Sequence, residues 1–255
     1  MNVSVLFVCE NASSHMGVFR KNICLRRHER PIMTNNTSSD DQTETRFSEI
    51  SDIRIVLNEI ETPTHPMYEV FTDWLTLIIQ TRAGNLTDVK DVLEPYTDAD
   101  AERFAQAYKE LQRVSLEADH EVLGDLYESY ALNSDEFAQH FTPVSVSDGM
   151  AEMVNIPEPS ESRPVRVLDP ACGSGRLLIS HAQRVTDGQY TGVDRDKKCA
   201  LMTVVNFIIF EVNGVVVHGD SLTLEFWNAW QTHEGSVRNI DPDAVKEKFV
   251  AALES

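Results

Sequence analysis

Between residues 165 and 220 apolar runs of strand length alternate with apolar patterns of helix length, and few arrangements of chain satisfy that alternation. The run Val165 to Leu168 ends in Asp169, passes through Pro170, Ala171, Cys172, Gly173, Ser174 and Gly175, and opens a helix-like pattern at Arg176 that reaches Arg184. Gln189–Val193 reads as a second strand ending at Asp194, Lys197–Val212 as a second helix, and Val215–His218 as a third strand ending at Gly219 and Asp220. Two successive strand–helix units feed parallel strands through right-handed crossovers, which predicts an α/β fold with a doubly wound parallel sheet. In such sheets ligands bind beyond the carboxyl ends of the strands, so Gly173, Asp194 and Asp220 should gather there.

The chemistry of the first turn narrows the ligand. Glycines let a backbone approach a bound group closely, and a helix N-terminus presents unpaired N–H groups. Asp194, 25 residues after Asp169, stands where an acid accepts hydrogen bonds from both ribose hydroxyls in dinucleotide folds. Asp220 can accept from the exocyclic amine of adenine. The pattern departs from G-x-G-x-x-G, however, because an acid and a proline precede the glycines and no helix-start glycine follows. Asp169 would repel a phosphate but helps to hold an ammonium. A zwitterionic ligand suits this turn better than a pyrophosphate.

Upstream, the sequence reads as helical. Ile50, Ile53, Leu57 and Ile60 share one face, and Pro63 and Pro66 end that helix. Val70, Phe71, Trp74, Leu75 and Ile78 form a second stripe, and Asp98 to Ala118 a third helix carrying Phe104, Tyr108, Leu111 and Val114. Val122, Leu126 and Tyr130 mark a fourth. These stripes are core and carry no chemistry. Residues 1–46 read as a disordered or misassigned extension, 47–135 as a helical domain and 136–255 as a partial ligand-binding domain. Up to Met33 five basic residues face two acidic ones, a net of +3 within a chain of net −19, and a polar run follows, so Met33 is a plausible natural start.

That charge constrains partners less than it first suggests. Forty-one acids face seven lysines and fifteen arginines, a composition suited to a proteome living in high salt. In molar salt the Debye length is about 3 Å, so local groups rather than net charge decide whether a polyanion binds. Cys9, Cys24, Cys172 and Cys199 show neither a CxxC spacing nor a His/Cys cluster, which argues against a disulfide framework and a metal site. No apolar run reaches the ~18 residues of a membrane span. The chain reads as soluble and cytoplasmic.

Three motifs in order carry a specific resemblance: Gly124-Asp-Leu-Tyr-Glu128, Gln139-His-Phe-Thr-Pro143 and Asp169-Pro-Ala-Cys-Gly-Ser-Gly175. Together they resemble the N-6 adenine-specific DNA methyltransferases, above all the modification subunits of type I restriction systems. His140 stands where that family usually has an aromatic residue. The resemblance implies a helical N-terminal domain followed by a Rossmann-like methyltransferase sheet, with S-adenosyl-L-methionine as cofactor. It implies that Phe141, Thr142 and Pro143 cover the methionine end and that Asp169, Pro170, Ala171, Cys172, Gly173, Ser174 and Gly175 bind the methionine. Asp194 then takes the ribose and Asp220 the adenine, while Cys172 serves as a small residue in a tight turn. The implied substrate is double-stranded DNA, as part of a restriction-modification or split enzyme.

One part of the family pattern is missing. An Asn/Asp/Ser-Pro-Pro-Tyr/Phe motif should follow the fourth strand, accepting hydrogen bonds from the target amine and stacking on a flipped adenine. No Pro-Pro pair follows Asp220, and Asp241-Pro242-Asp243 has one proline and no aromatic. The catalytic residues are therefore unassigned, and the fold is expected to be incomplete. Phe226, Trp227 and Trp230 together with Lys246–Leu253 predict one or two closing helices. Strand one would be left with an unpaired edge: either the chain is the N-terminal piece of a longer or split enzyme, or a specificity or catalytic-half subunit completes the sheet, or the family member is reduced. The alternative is an inactive S-adenosylmethionine-binding module that regulates or assembles.

Overall fold

The computed structural model describes residues 50–60, 62, 64–130, 142–153, 165–185 and 187–253. They belong to one compact unit spanning Glu49–Ser255. The extension at 1–46 and the segment Gln139–Phe141 lie outside the described residues.

Among the described residues six helices precede the sheet: α1 (Ser51–Asn58), α2 (Met67–Arg82), α3 (Leu86–Leu93), α4 (Asp98–Ala118), α5 (Leu123–Ser129) and α6 (Val144–Met153). The apolar stripes become core as their spacing predicts: Val70, Phe71, Trp74 and Leu75 of α2 and Phe104 and Leu111 of α4 are fully buried. The Trp74 indole N–H donates to the Phe104 carbonyl at 3.1 Å and ties these two helices together. Helix α4 starts at a reciprocal capping box, Thr97 with Asp100, which satisfies two of its orphan N–H groups. Helix α3 has no counterpart among the predicted stripes, although Leu86, Val89 and Leu93 stand at helical spacing; only Val89 of its eight residues is buried.

The sheet then alternates as predicted: β1 (Arg166–Asp169), α7 (Arg176–Ala182), β2 (Gln189–Asp194), α8 (Lys197–Ile209) and β3 (Gly214–Asp220). β1, β2 and β3 pair in parallel in that order. Both crossovers step the same way across the sheet, so right-handedness places both helices on one face. A Cβ on Gly192 would come within 3.1 Å of Leu178 in α7, and one on Gly214 within 2.6 Å of Phe207 in α8. α8 lies between this face and the N-terminal helices, touching α2, α4 and α5 as well as β2 and β3. Its residues from Cys199 to Ile209 are all buried, the signature of a helix that is apolar all round.

Beyond β3 the structure corrects the sequence reading. Phe226, Trp227 and Trp230 do not form a helix; they lie on β4 (Glu225–His233), which pairs antiparallel with β3 and forms a hairpin with β5 (Ser236–Ile240). The sheet is thus five-stranded and mixed rather than parallel throughout and three-stranded. Aromatic and Thr side chains favour a pleated surface. The turn Glu234-Gly235 has positive φ at both residues (47° and 73°), the backbone a two-residue hairpin requires. A single closing helix, α9 (Pro242–Leu253), follows. Asp241 caps it, its carboxylate accepting the Asp243 N–H at 3.0 Å, with Pro242 in the first turn, where a missing N–H costs nothing. Asp241-Pro242-Asp243 is therefore a helix start. On this second face Val193, Val217 and Ala229 pack with Val215, Phe226, Ile240 and Val245. β1 is an edge strand, as the sequence reading expects, and the neighbour that closes the far side of the sheet is β5.

Candidate functional site

The turn after β1 is held at nearly every peptide. The Asp169 carboxylate accepts the Ala171 N–H at 3.1 Å and bends the chain out of the strand. The Cys172 N–H reaches the Val193 carbonyl on β2 at 3.0 Å, and the Gly175 N–H closes back on the Cys172 carbonyl at 2.8 Å. Gly173 and Gly175 have φ of 56° and 83°, left-handed values that side chains strain to adopt. From α8, Thr203 donates its hydroxyl to the Gly173 carbonyl at 2.9 Å, and Asn206 its amide to the Ser174 carbonyl at 2.8 Å. Among the described residues no helix is long and apolar enough to cross a membrane, and no cluster of His, Cys, Asp or Glu could hold a metal ion.

Asp194 lies at the end of β2 and meets this turn directly. One carboxylate oxygen accepts the Gly173 N–H at 2.8 Å and the other accepts the Asp196 N–H at 2.8 Å. Each oxygen keeps a second lone pair for another donor. Burial pushes the Asp194 carboxyl above its ordinary value against the pull of these N–H groups, and the charges of Asp196 and Asp169 push the same way. Burial also raises Asp169. Two partly buried carboxylates thus sit close enough to repel, an arrangement relieved by a positive charge and aggravated by a phosphate.

Asp220 closes β3 in a different setting. Its carboxylate accepts the Thr223 and Leu222 N–H groups at 3.1 and 2.8 Å, which together with Arg195 bring it below the usual carboxylate range. Arg195, the residue after Asp194, brings its Nε within 3.8 Å of Asp220 and links two strand ends. Cys172 is buried, and burial pushes its thiol well up, which suits a small residue packed in a tight turn better than a reactive thiolate. Pro170 and Ala171 are exposed beside the turn, Ser174 is buried beneath it, and Thr142 and Pro143 are exposed before α6. Phe141 lies outside the described residues.

A buried cluster of charge beneath the turn is absent from the sequence reading. Arg176, at the start of α7, is 4% exposed and ion-paired to Glu121 at 2.6 Å and to Asp125 at 3.0 Å. Glu121, fully buried ahead of α5, also accepts the Ser174 hydroxyl at 2.8 Å, the Gly124 N–H at 3.0 Å and the Asn206 amide at 3.2 Å. Burial works to raise Glu121, but Arg176 with the Gly124 and Ser174 donors brings it below the ordinary value. Gly124 permits the approach: a Cβ there would lie 2.9 Å from both Glu121 Oε1 and Ser174 Oγ. Asn206 was the available clue, a polar residue in the middle of the apolar run Leu201–Ile209.

Comparison with known proteins places this geometry in context. Residues 118–241 match the family model described as N-6 DNA methylase. The methylase subunit of the type I restriction enzyme MjaVIII of Methanocaldococcus jannaschii is 33% identical over 116 residues, 42% of this chain and 19% of the relative. The corresponding subunit of MjaVII from the same organism is 29% identical over 133 residues, 48% of this chain and 22% of the relative. The chain therefore spans about a fifth of the length of these curated relatives. A Listeria monocytogenes chain solved as a candidate class I S-adenosylmethionine-dependent methyltransferase aligns with a TM-score of 0.43 at 18% identity, covering 72% of this chain and 55% of that one.

Proposed function

We propose that this chain, whose residues 118–241 match the N-6 DNA methylase family, is the methyl-donor-binding portion of an adenine-N6 DNA methyltransferase of the type I modification kind. The family's methyl donor is S-adenosyl-L-methionine. The observation that carries the reading is the pair Asp169 and Asp194, two partly buried carboxylates flanking a turn with two left-handed glycines. That donor set fits a ligand bearing a sulfonium and an ammonium, and it does not fit a pyrophosphate.

In this reading each residue has a separate task. Asp169 supplies negative charge to the cationic end of the ligand, while the backbone of Pro170 to Gly175 lies against its methionine portion, with Phe141, Thr142 and Pro143 covering it from the other side. Asp194 offers its remaining lone pairs to the ribose hydroxyls, and Asp220 accepts from the adenine amine. When bound, the cofactor supplies a methyl group activated by its sulfonium. Transfer to a weakly nucleophilic exocyclic nitrogen asks for positioning more than for a strong base. No Pro-Pro pair lies between Asp220 and Ser255, so the residues that hold a flipped adenine in double-stranded DNA would come from a segment other than residues 1–255, on the same or another polypeptide.

A second reading has its own support. β4 takes the place beside β3 as an antiparallel hairpin, which suits a non-catalytic module that binds S-adenosylmethionine to regulate or assemble. Calorimetric titration of the chain with S-adenosylmethionine tests what both readings share: saturable binding is expected in the wild type and lost in Asp194→Ala. Absence of binding by the wild type refutes both. DNA methylation from labelled cofactor is expected only when a polypeptide carrying the missing motif is added, and methylation by this chain alone would overturn the division of labour.

A further inference from the structure

The Arg176 guanidinium spends its three nitrogens on three partners in two other segments of chain. Nε binds Glu121 at 2.6 Å, Nη2 binds Asp125 at 3.0 Å, and Nη1 donates to the backbone carbonyl of Thr142 at 3.0 Å. Its own backbone begins α7, immediately after the glycine turn. One side chain thus spans from the 172–175 turn to the Thr142-Pro143 segment, with α5 as the fixed anchor.

Stability alone is a poor reason for this arrangement. Taking an arginine and two carboxylates out of water costs desolvation that their attraction roughly balances, and packed apolar residues do as well or better. What the planar guanidinium fork offers is direction, because its donors leave in fixed and diverging lines. With Glu121 and Asp125 holding two of those lines, the third can point only where Thr142 is found. Glu121 also holds the Ser174 hydroxyl, so the same carboxylate registers both the turn and the arginine.

We infer that Arg176 is a positioning residue: through Glu121 and Asp125 it sets the Thr142-Pro143 segment against the 172–175 turn and so shapes the methionine end of the cofactor cradle. This rests on the S-adenosylmethionine reading above. The adenosine end, at Asp194 and Asp220, lies on other strand ends and does not depend on the Thr142 carbonyl. The arginine therefore discriminates between ligands with and without the amino-acid tail.

The test is Arg176→Lys in the full-length chain, titrated with S-adenosylmethionine and with 5′-methylthioadenosine, which lacks that tail. Lysine keeps the charge but has no fork, so it cannot serve three partners in fixed directions. The dissociation constant for S-adenosylmethionine should rise about tenfold, equivalent to ~1.4 kcal/mol, while that for 5′-methylthioadenosine stays within about twofold. A merely structural role would weaken both ligands together or leave both unchanged with a lower unfolding midpoint, and either result overturns the inference. If Arg176→Lys fails to fold by circular dichroism, Asp125→Asn carries the test, since Arg176 keeps Glu121 there; selective weakening of S-adenosylmethionine supports the inference and equal affinities overturn it. No binding by the wild type sinks the cofactor reading and this inference with it. Wild-type binding that the variants share undiminished sinks this inference alone.

Discussion

Replacing Gly175 by alanine is the sharpest single perturbation of the glycine turn, and its cost has two separable parts. Gly175 has φ of 83°, and holding a side-chain-bearing residue in the left-handed region costs ~1–2 kcal/mol. The added Cβ would also lie 3.0 Å from both Cγ2 and Oγ1 of Thr203. Thr203 cannot rotate away freely, because it is fully buried and its hydroxyl is bonded to the Gly173 carbonyl. Overpacking of that kind costs ~1–3 kcal/mol. The total of roughly 2–5 kcal/mol is a large share of the ~5–15 kcal/mol by which domains are stable. Urea unfolding followed by far-ultraviolet circular dichroism measures it, and a double-mutant cycle with Thr203→Ser divides it. Serine retains the hydroxyl but removes Cγ2, so the cycle should return about 1 kcal/mol of favourable coupling and leave the left-handed strain untouched. A Gly175→Ala protein that unfolds at the wild-type urea concentration, or a cycle with no coupling, would refute the reasoning.

Four further outcomes follow from other parts of the molecule. Gly214→Ala puts a Cβ 2.3 Å from the Tyr190 carbonyl oxygen, a backbone atom in the neighbouring strand, so it should cost more than ~4 kcal/mol and leave little folded protein in a urea titration. Asp241→Ala removes the cap of α9 and should lower stability by about 1 kcal/mol, with an unchanged unfolding curve counting against the assignment. Burial raises Asp169 and Asp194 in the folded chain, so their contribution to stability is greatest below the unfolded carboxylate range and is lost as pH rises through the raised values. Binding of a cationic ligand needs them ionised, so S-adenosylmethionine affinity should fall on acidification before ordinary carboxylates titrate near pH ~4, and calorimetry at stepped pH would show otherwise if the site is elsewhere. With 41 acidic against 22 basic residues, the thermal midpoint should climb with potassium chloride well beyond the concentration that screens ordinary surface pairs; a flat dependence would remove the high-salt reading.

The strand–turn–helix alternation from Arg166 to Asp220 and the boundaries of the helix Asp98–Ala118 were legible in the amino-acid order, because periodicity, caps and left-handed glycines are local properties. So was the gathering of Gly173 and Asp194, since parallel strands with right-handed crossovers place their carboxyl ends on one side. The aromatic stretch from Phe226 to Trp230 was not. Its residues suit a buried helix face or a pleated strand equally, and the pairing with β3 decides, a contact between segments distant in sequence. The Glu234-Gly235 turn carried a local hint, but glutamate at a left-handed position is not the Asn or Asp that usually announces such a hairpin. Arg176 shows the same division most clearly. In sequence it is one more charged residue at a helix start; only folding brings Glu121, Asp125 and Thr142 around it from more than thirty positions upstream. Buried charge is settled by its compensating partners, and those partners are a property of the tertiary structure alone.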